Sequence, residues 1–349
     1  MKTLYRILLL TFGCLCVPSA EIKAQLAFGA EFSPATLVAN ATGGRNPLFV
    51  ADFNGDGVPD VASIQVNGTA GIRIMFISES GAQLGILFIP LANISDGYSS
   101  LLAVDYDEDR DLDIIAVVNS TNASSFVYIE NPGLGAFAVA NVTTLGTPTV
   151  GSLSGLVSID QNLDGFVDIM GISSHNPTST TRINLFRNNT VGGFTYVGGA
   201  GVIVAVPNPT ILSIRYFGMK KYILNNSAVP GLVINGYQDQ LFFVRNLATF
   251  PTVTFSTVYT GNIVSVLAVN IRDIEVGDLD LDNNTDIVLY EEVVAGAGTH
   301  GIKLLQGDGL SGFSPPITLT TRPLSNSTRS FTVGDIDNDN DIDIKVFIS

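Results

Sequence analysis

Asp52-Phe53-Asn54-Gly55-Asp56-Gly57-Val58-Pro59-Asp60, DFNGDGVPD, is the stretch whose reading decides the fold. The pattern recurs as DYDEDRDLD from Asp105, DQNLDGFVD from Asp160, DLDLDNNTD from Asp278 and DIDNDNDID from Asp335. The intervals are 53, 55, 118 and 57 residues, so the long one spans two periods and predicts a hidden copy near residue 215. A degenerate copy is read there. Ile211–Ile214 matches Leu101–Val104, the run before the second motif, and Gly231–Ile234 matches the run after a motif. The loop expected between them, Arg215–Pro230, carries no Asp or Glu and holds Lys220 and Lys221, read as solvated.

Outward from each motif the grammar is constant. A short apolar run enters it (Leu48–Val50, Leu102–Val104, Phe331–Val333) and another leaves it (Val61–Ile64, Ile114–Val117, Ile287–Leu289). A third, alternating run follows (Ile183–Phe186, Ile302–Leu305), then a Gly turn and an aromatic-led fourth, as at Phe194 and Phe313. Short Val/Ile/Phe-rich runs bounded by Gly, Asn and Pro are strands. Four strands per repeat of this length predict the blade of a β-propeller. The fold class expected is all-β, a propeller of four-stranded blades: six, or seven if a further copy is hidden. Residues 25–40 are expected to supply the outer strands of the blade begun by the C-terminal repeat, closing the ring without a free sheet edge.

Within the motif, Asp or Asn fills positions 1, 3 and 5, and Asp fills position 9, in all five copies. Alternate oxygen-bearing side chains on a tight loop converge. Position 6 needs a residue that tolerates a left-handed backbone and is Gly57, Gly165, Asn283 or Asn340, with Arg110 the one misfit. Position 7 offers a carbonyl. The ligands expected are thus Asp52, Asn54, Asp56, Val58 and Asp60; Asp105, Asp107, Asp109, Asp111 and Asp113; Asp160, Asn162, Asp164, Phe166 and Asp168; Asp278, Asp280, Asp282, Asn284 and Asp286; and Asp335, Asp337, Asp339, Asp341 and Asp343. An all-oxygen, multi-carboxylate set suits Ca²⁺, in about five sites. An EF-hand is rejected, because position 12 is Ser63, Ala116, Gly171, Leu289 or Val346 rather than Glu and the flanks are strands.

These five motifs resemble the calcium loops of FG-GAP/VCBS repeat proteins, the family that includes the integrin α-subunit propeller. The resemblance spans residues 25–349 and implies calcium on inter-strand loops at one rim. The phenylalanine-glycine and glycine-alanine-proline signatures of integrin blades are not visible.

Charge agrees. The five loops hold 21 of the 32 acidic residues and one base, Arg110, of a chain whose formal net charge is −15. Clustered carboxylates without a counterion repel one another. Such acidity excludes a nucleic-acid binder. Lys2 and Arg6 before the apolar run Ile7–Val17 read as a secretory signal, residues 1–24, with cleavage near 19–24. Both cysteines, Cys14 and Cys16, lie inside it. No membrane span is expected, and the mature protein is expected to be a secreted monomer. Ten N-x-[ST] sequons, among them Asn188, Asn225 and Asn283, suggest a glycoprotein. His175 and His300 fall in apparent polar turns, and no nucleophile elbow, zinc-protease or phosphate-loop motif is present. The function expected is extracellular recognition or adhesion toward a protein or glycan, without catalysis. The alternative is a propeller-fold polysaccharide lyase or hydrolase using a carboxylate, Tyr or Lys outside the loops.

Overall fold

The structure is a computed structural model. It describes residues 48–348 except 66–68, 81, 93–99, 121–122, 147–152, 176–179, 190–192, 203–217, 226, 236–239, 246, 253, 261–268, 294–299, 311, 323–327 and 335–342. Five four-stranded antiparallel sheets follow one another along the chain, each in strand order first to fourth. The first holds β1 (Leu48–Ala51), β2 (Asp60–Gln65), β3 (Gly71–Ile77) and β4 (Gln83–Pro90). The second holds β5 (Ser100–Val104), β6 (Asp113–Ser120), β7 (Ala123–Ile129) and β8 (Val142–Gly146). The third is β9 (Leu153–Ile159), β10 (Asp168–His175), β11 (Thr180–Asn188) and β12 (Phe194–Val202). The fourth is β13 (Met219–Tyr222), β14 (Gly231–Asn235), β15 (Gln240–Arg245) and β16 (Thr254–Thr260). The fifth is β17 (Val269–Gly277), β18 (Asp286–Val293), β19 (His300–Leu305) and β20 (Ile317–Arg322). A two-stranded sheet, β21 (Thr328–Gly334) with β22 (Asp343–Ile348), follows.

The first strands pack in succession, β1 on β5, β5 on β9, β9 on β13, β13 on β17 and β17 on β21. That is the arrangement of propeller blades. Five blades are complete, where six or seven were expected. The repeat bearing the last acidic motif forms only two strands, because a single described strand follows its loop. Residues 25–40, expected to complete it, lie outside the described residues, as does the signal segment. No helix among the described residues is long and apolar enough to cross a membrane.

The core lies between blades. Ile72, Ile74 and Ile89 of the first blade pack with Ile114, Ala116 and Ile129 of the second. Leu102, Ile115 and Phe126 of the second pack with Leu156, Ile169 and Phe186 of the third, the two phenylalanine rings meeting edge-on at 5.0 Å. Met170 and Ile183 meet Leu232 and Val244 at the next seam, and Val233 and Phe243 meet Ile274 and Ile287 beyond it. A sheet covered on both faces needs apolar residues on both, which is why the second strands read as unbroken apolar runs rather than alternating ones. Each such fully buried side chain contributes about 1.5–3 kcal/mol. Every third-to-fourth strand pairing carries a register shift, as at Phe76/Ile77 and Leu185/Phe186. Bulges there increase the twist of each blade's outer half.

The hairpin register is the same in all six sheets. Ala51 pairs with Asp60, Val104 with Asp113, Ile159 with Asp168, Gly277 with Asp286 and Gly334 with Asp343. The degenerate repeat follows suit with Tyr222 opposite Gly231. This corrects the sequence reading: the first strand is Met219–Tyr222, not Ile211–Ile214, which lies outside the described residues. Its loop is residues 223–230, as long as the acidic loops. Lys220 is therefore on a strand, not in a solvated loop, and its ammonium sits 2.7 Å from Glu275 of β17. The fourth strand of the fifth blade also begins later than expected. Phe313 makes an isolated bridge with Gly307, and its ring packs on Tyr222 and Phe243.

Gly231 occupies the place of the motif's last aspartate. A Cβ added there would lie 2.8 Å from Phe243 Cζ and 2.9 Å from the Val244 carbonyl. The ring of Phe243 thus closes off the space beside the position where other repeats carry a carboxylate. Gly231→Ala, although it raises strand propensity, is expected to destabilise the protein by about 1–3 kcal/mol through overpacking. Urea denaturation of the two forms measures it.

Candidate metal centre

In every blade the loop between first and second strands and the connection between third and fourth emerge at the same end. One rim therefore carries all the acidic loops, and loops 52–60, 105–113, 160–168 and 278–286 fall among the described residues. The loop from Asp335 to Asp341 lies outside them, and of Asp343 only the backbone, opening β22, is described.

Position 9 is an aspartate with no exposed surface: Asp60, Asp113, Asp168 and Asp286. Each uses both oxygens in the same way. One accepts the amide of position 2, from Phe53 (3.2 Å), Tyr106 (3.1 Å), Gln161 (3.2 Å) or Leu279 (2.9 Å). The other accepts an amide at or just beyond the end of the third strand, from Ile77 (2.9 Å), Asn131 (2.8 Å), Asn188 (2.8 Å) or Gly307 (2.9 Å). The carboxylate pins the loop's entrance to the third strand. The sequence singled it out as a ligand and missed this second role.

Positions 1 and 5 wind the loop. Asp52 accepts the amides of Gly55, Asp56 and Gly57, and Asp160 and Asp278 each accept those of positions 5 and 6. The position-5 carboxylate accepts the position-7 amide in each loop, at 2.7–3.0 Å. Position 6 has positive φ, as the motif predicted: Gly57 (85°), Arg110 (80°), Gly165 (92°) and Asn283 (67°). Position 4 does too, which the sequence did not signal, since Gly55, Glu108, Leu163 and Leu281 share no side-chain property. Leu163 and Leu281 hold this disfavoured conformation while 58% exposed.

Two of the loops gather three carboxylates. Asp105, Asp107 and Asp109 bring one oxygen each within 4.8 Å of the others, and so do Asp278, Asp280 and Asp286. In loops 52–60 and 160–168 position 3 is Asn, whose amide donates to the position-5 carboxylate: Asn54 to Asp56 at 3.0 Å and Asn162 to Asp164 at 2.7 Å. There the amide hydrogen takes up a carboxylate oxygen internally. In the loop from Asp105 the opposite holds, for Asp105 Oδ1 is buried without a partner. Tyr128, not foreseen as part of the site, donates its hydroxyl to Asp107 Oδ2 (3.0 Å) and Asp113 Oδ2 (3.2 Å). Gathered carboxylates with an unsatisfied oxygen fit a hard, oxygen-seeking divalent cation.

Electrostatics point the same way. Burial pushes the carboxyls of Asp60, Asp113 and Asp286 up to about 6, against the amide bonds that favour ionisation. Burial first and then neighbouring Asp282 raise Asp280.

The loops are also locked to the following blade. Asn131 Nδ2 donates to the carbonyls of Phe53 (2.8 Å) and Leu112 (3.1 Å), joining the first two loops. Gln161 donates to the Leu247 carbonyl at 2.9 Å and accepts from Arg187 at 2.7 Å. His175 and His300, expected in turns, instead end β10 and begin β19, at the opposite rim. Among the sequons, Asn188 is buried, which sets it apart from a glycan acceptor.

The fold and this rim define a β-propeller. No protein-family model matches the chain, and no curated protein does. Among solved structures, an arginine-to-alanine triple mutant of AofleA from Arthrobotrys oligospora matches with a TM-score of 0.54 and 11% identity, over 88% of this chain and 80% of that one. An Agrocybe aegerita lectin described as recognising non-reducing terminal N-acetylglucosamine matches with a TM-score of 0.44 and 14% identity, over 80% and 81%. At 11% identity the likeness to AofleA shows the fold alone.

Asp60→Ala leaves two buried amides without acceptors and is expected to cost about 2–4 kcal/mol even in chelator, where loss of a ligand alone would cost nothing. Denaturation in EGTA measures it. A carboxyl that holds its proton more tightly folded than unfolded destabilises the fold once ionised. In chelator the melting temperature should therefore rise as pH falls from about 7 to about 5.

Proposed function

We propose that this is a secreted, calcium-stabilised β-propeller of the FG-GAP/VCBS type, used for extracellular recognition of a glycan or protein ligand and not for catalysis. The observation that carries the reading is the repetition of one oxygen-rich loop, in one register, on one rim, with three carboxylates gathered in two of its copies. Asp105, Asp107 and Asp109, with Asp113, would hold one ion, and Asp278, Asp280 and Asp286 another. A bound cation would supply the counter-charge these gathered carboxylates lack and fix the loops. The loop from Asp335 is proposed to belong to the same set, and residues 25–40 to pair with the two-stranded sheet.

The rim supplies the recognition surface. Leu134, Leu163, Ile223, Leu281 and Leu310 are each about half exposed or more and all stand on its loops. Exposed apolar side chains among polar ones on a rigid scaffold mark binding surfaces. Of the two lysines that the lyase or hydrolase alternative could use, Lys220 is paired with Glu275, and Lys221 stands exposed on the same strand. The hydrophobic signal segment supports export, and the sequons support glycosylation outside Asn188, Asn225 and Asn283, the last two standing in the loops that would hold or wall an ion.

Elemental analysis of the purified protein is expected to find calcium, and EGTA is expected to lower the melting temperature clearly, since an ion bound only by the folded state stabilises it. Glycan and protein arrays probed with and without EGTA are expected to show calcium-dependent binding. A calcium-free protein with the same melting temperature in chelator would overturn the reading.

A further inference from the structure

Tyr222 ends the first strand of the degenerate blade. Its side chain is wholly buried, with the ring 5.1 Å from Phe243 and 5.5 Å from Phe313. Its hydroxyl is buried too, and has no hydrogen-bond partner. Buried phenols are normally bonded. This one is aimed across the seam into the acidic loop of the next blade. It lies against Gly307, where an added Cβ would come within 2.4 Å of it, and the Gly307 amide donates to Asp286. The charges facing it are Asp286, Asp308 and Asp282.

A second residue of the same degenerate loop reaches across. Asn225 donates its amide hydrogen to Asn284 Oδ1 at 2.8 Å, and its backbone N–H donates to the Gly309 carbonyl at 2.9 Å. Asn284 in turn donates to both oxygens of Asp282, at 2.7 and 2.8 Å. On the far side Gln306 donates to Asp280 at 2.6 Å. The carboxylates so framed include Asp278, Asp280 and Asp286, the group whose oxygens gather within 4.8 Å.

We propose that Tyr222 and Asn225 are positioning residues of a divalent-cation site in the neighbouring blade, with Asp278, Asp280 and Asp286 as its carboxylates and the Tyr222 hydroxyl turned to the oxygens of the filled site. The proposal deepens the calcium reading and rests on it. The repeat that lost its own carboxylates serves as the wall of its neighbour's site. The loop from Asp105 is built differently: its tyrosine, Tyr128, comes from the same blade and already donates to two carboxylates.

Terbium(III) tests this, because it replaces calcium on oxygen ligands and emits when a nearby aromatic side chain is excited. The chain has no tryptophan, so tyrosines alone sensitise it. The full-length protein is taken from a host that does not glycosylate, since Asn225 begins a sequon. Tyr222→Phe is expected to remove the emission of one binding phase and weaken that phase about tenfold, the usual scale for a group that orients metal ligands. Asn225→Ala should weaken the same phase, and Tyr128→Phe a different one. In chelator Tyr222→Phe should melt no lower than the parent, because it deletes an unbonded hydroxyl. Terbium binding with affinity and emission unchanged by Tyr222→Phe would overturn this proposal and leave the calcium reading standing. Failure of both calcium and terbium to bind the parent would overturn both.

Discussion

The acidic rim of this structure depends on a buried carboxylate that accepts two backbone amides. At Asp60, Asp113, Asp168 and Asp286 one side chain joins the start of a loop to the end of the third strand. A loop long enough to be floppy is thereby held at both ends, and the amides it leaves exposed are taken up by the aspartates of positions 1 and 5. The cost is a charge without surface exposure, visible in carboxyls raised by desolvation. Burying a charge is tolerated when hydrogen bonds or a counter-ion compensate it. The amides do part of this, and at Asp113 and Asp286 the proposed cation would add to it.

The degenerate repeat shows the same problem solved without charge. Gly231 removes the carboxylate, and the ring of Phe243, stacked edge-on with Tyr222 and Phe313, fills the space. The hairpin register survives the exchange, since Tyr222 still faces Gly231 as Gly277 faces Asp286. Strand pairing and blade packing therefore do not require the acidic loop. Its oxygens are free to serve the rim, and the exchange leaves a buried phenol looking into the next blade.

Between blades, apolar side chains do the packing and a few polar ones set alignment. Asn131 reaches the Phe53 carbonyl, Gln161 the Leu247 carbonyl, and Lys220 the Glu275 carboxylate. Each joins one blade to its neighbour. A hydrophobic seam alone is non-directional, whereas these bonds fix how far one blade slides against the next.

The repeat, the strand grammar and the left-handed sixth position were legible in the chain because they follow from local chemistry: apolar runs, acidic spacing, and a backbone that glycine and asparagine tolerate. The second strands were read correctly on that basis. Other features depend on residues brought together from far apart, and spacing does not encode them. Tyr128, Asn131, Tyr222 and Asn225 join the rim only through blade pairing. Gly231, which looked like the start of an ordinary strand, stands in a vanished aspartate's place because Phe243 folds onto it. Lys220 resembled a solvated base until β17 set Glu275 against it. Which loops gather three carboxylates was likewise decided in three dimensions, because convergence of side-chain oxygens depends on rotamers and neighbours as well as on the order of residues.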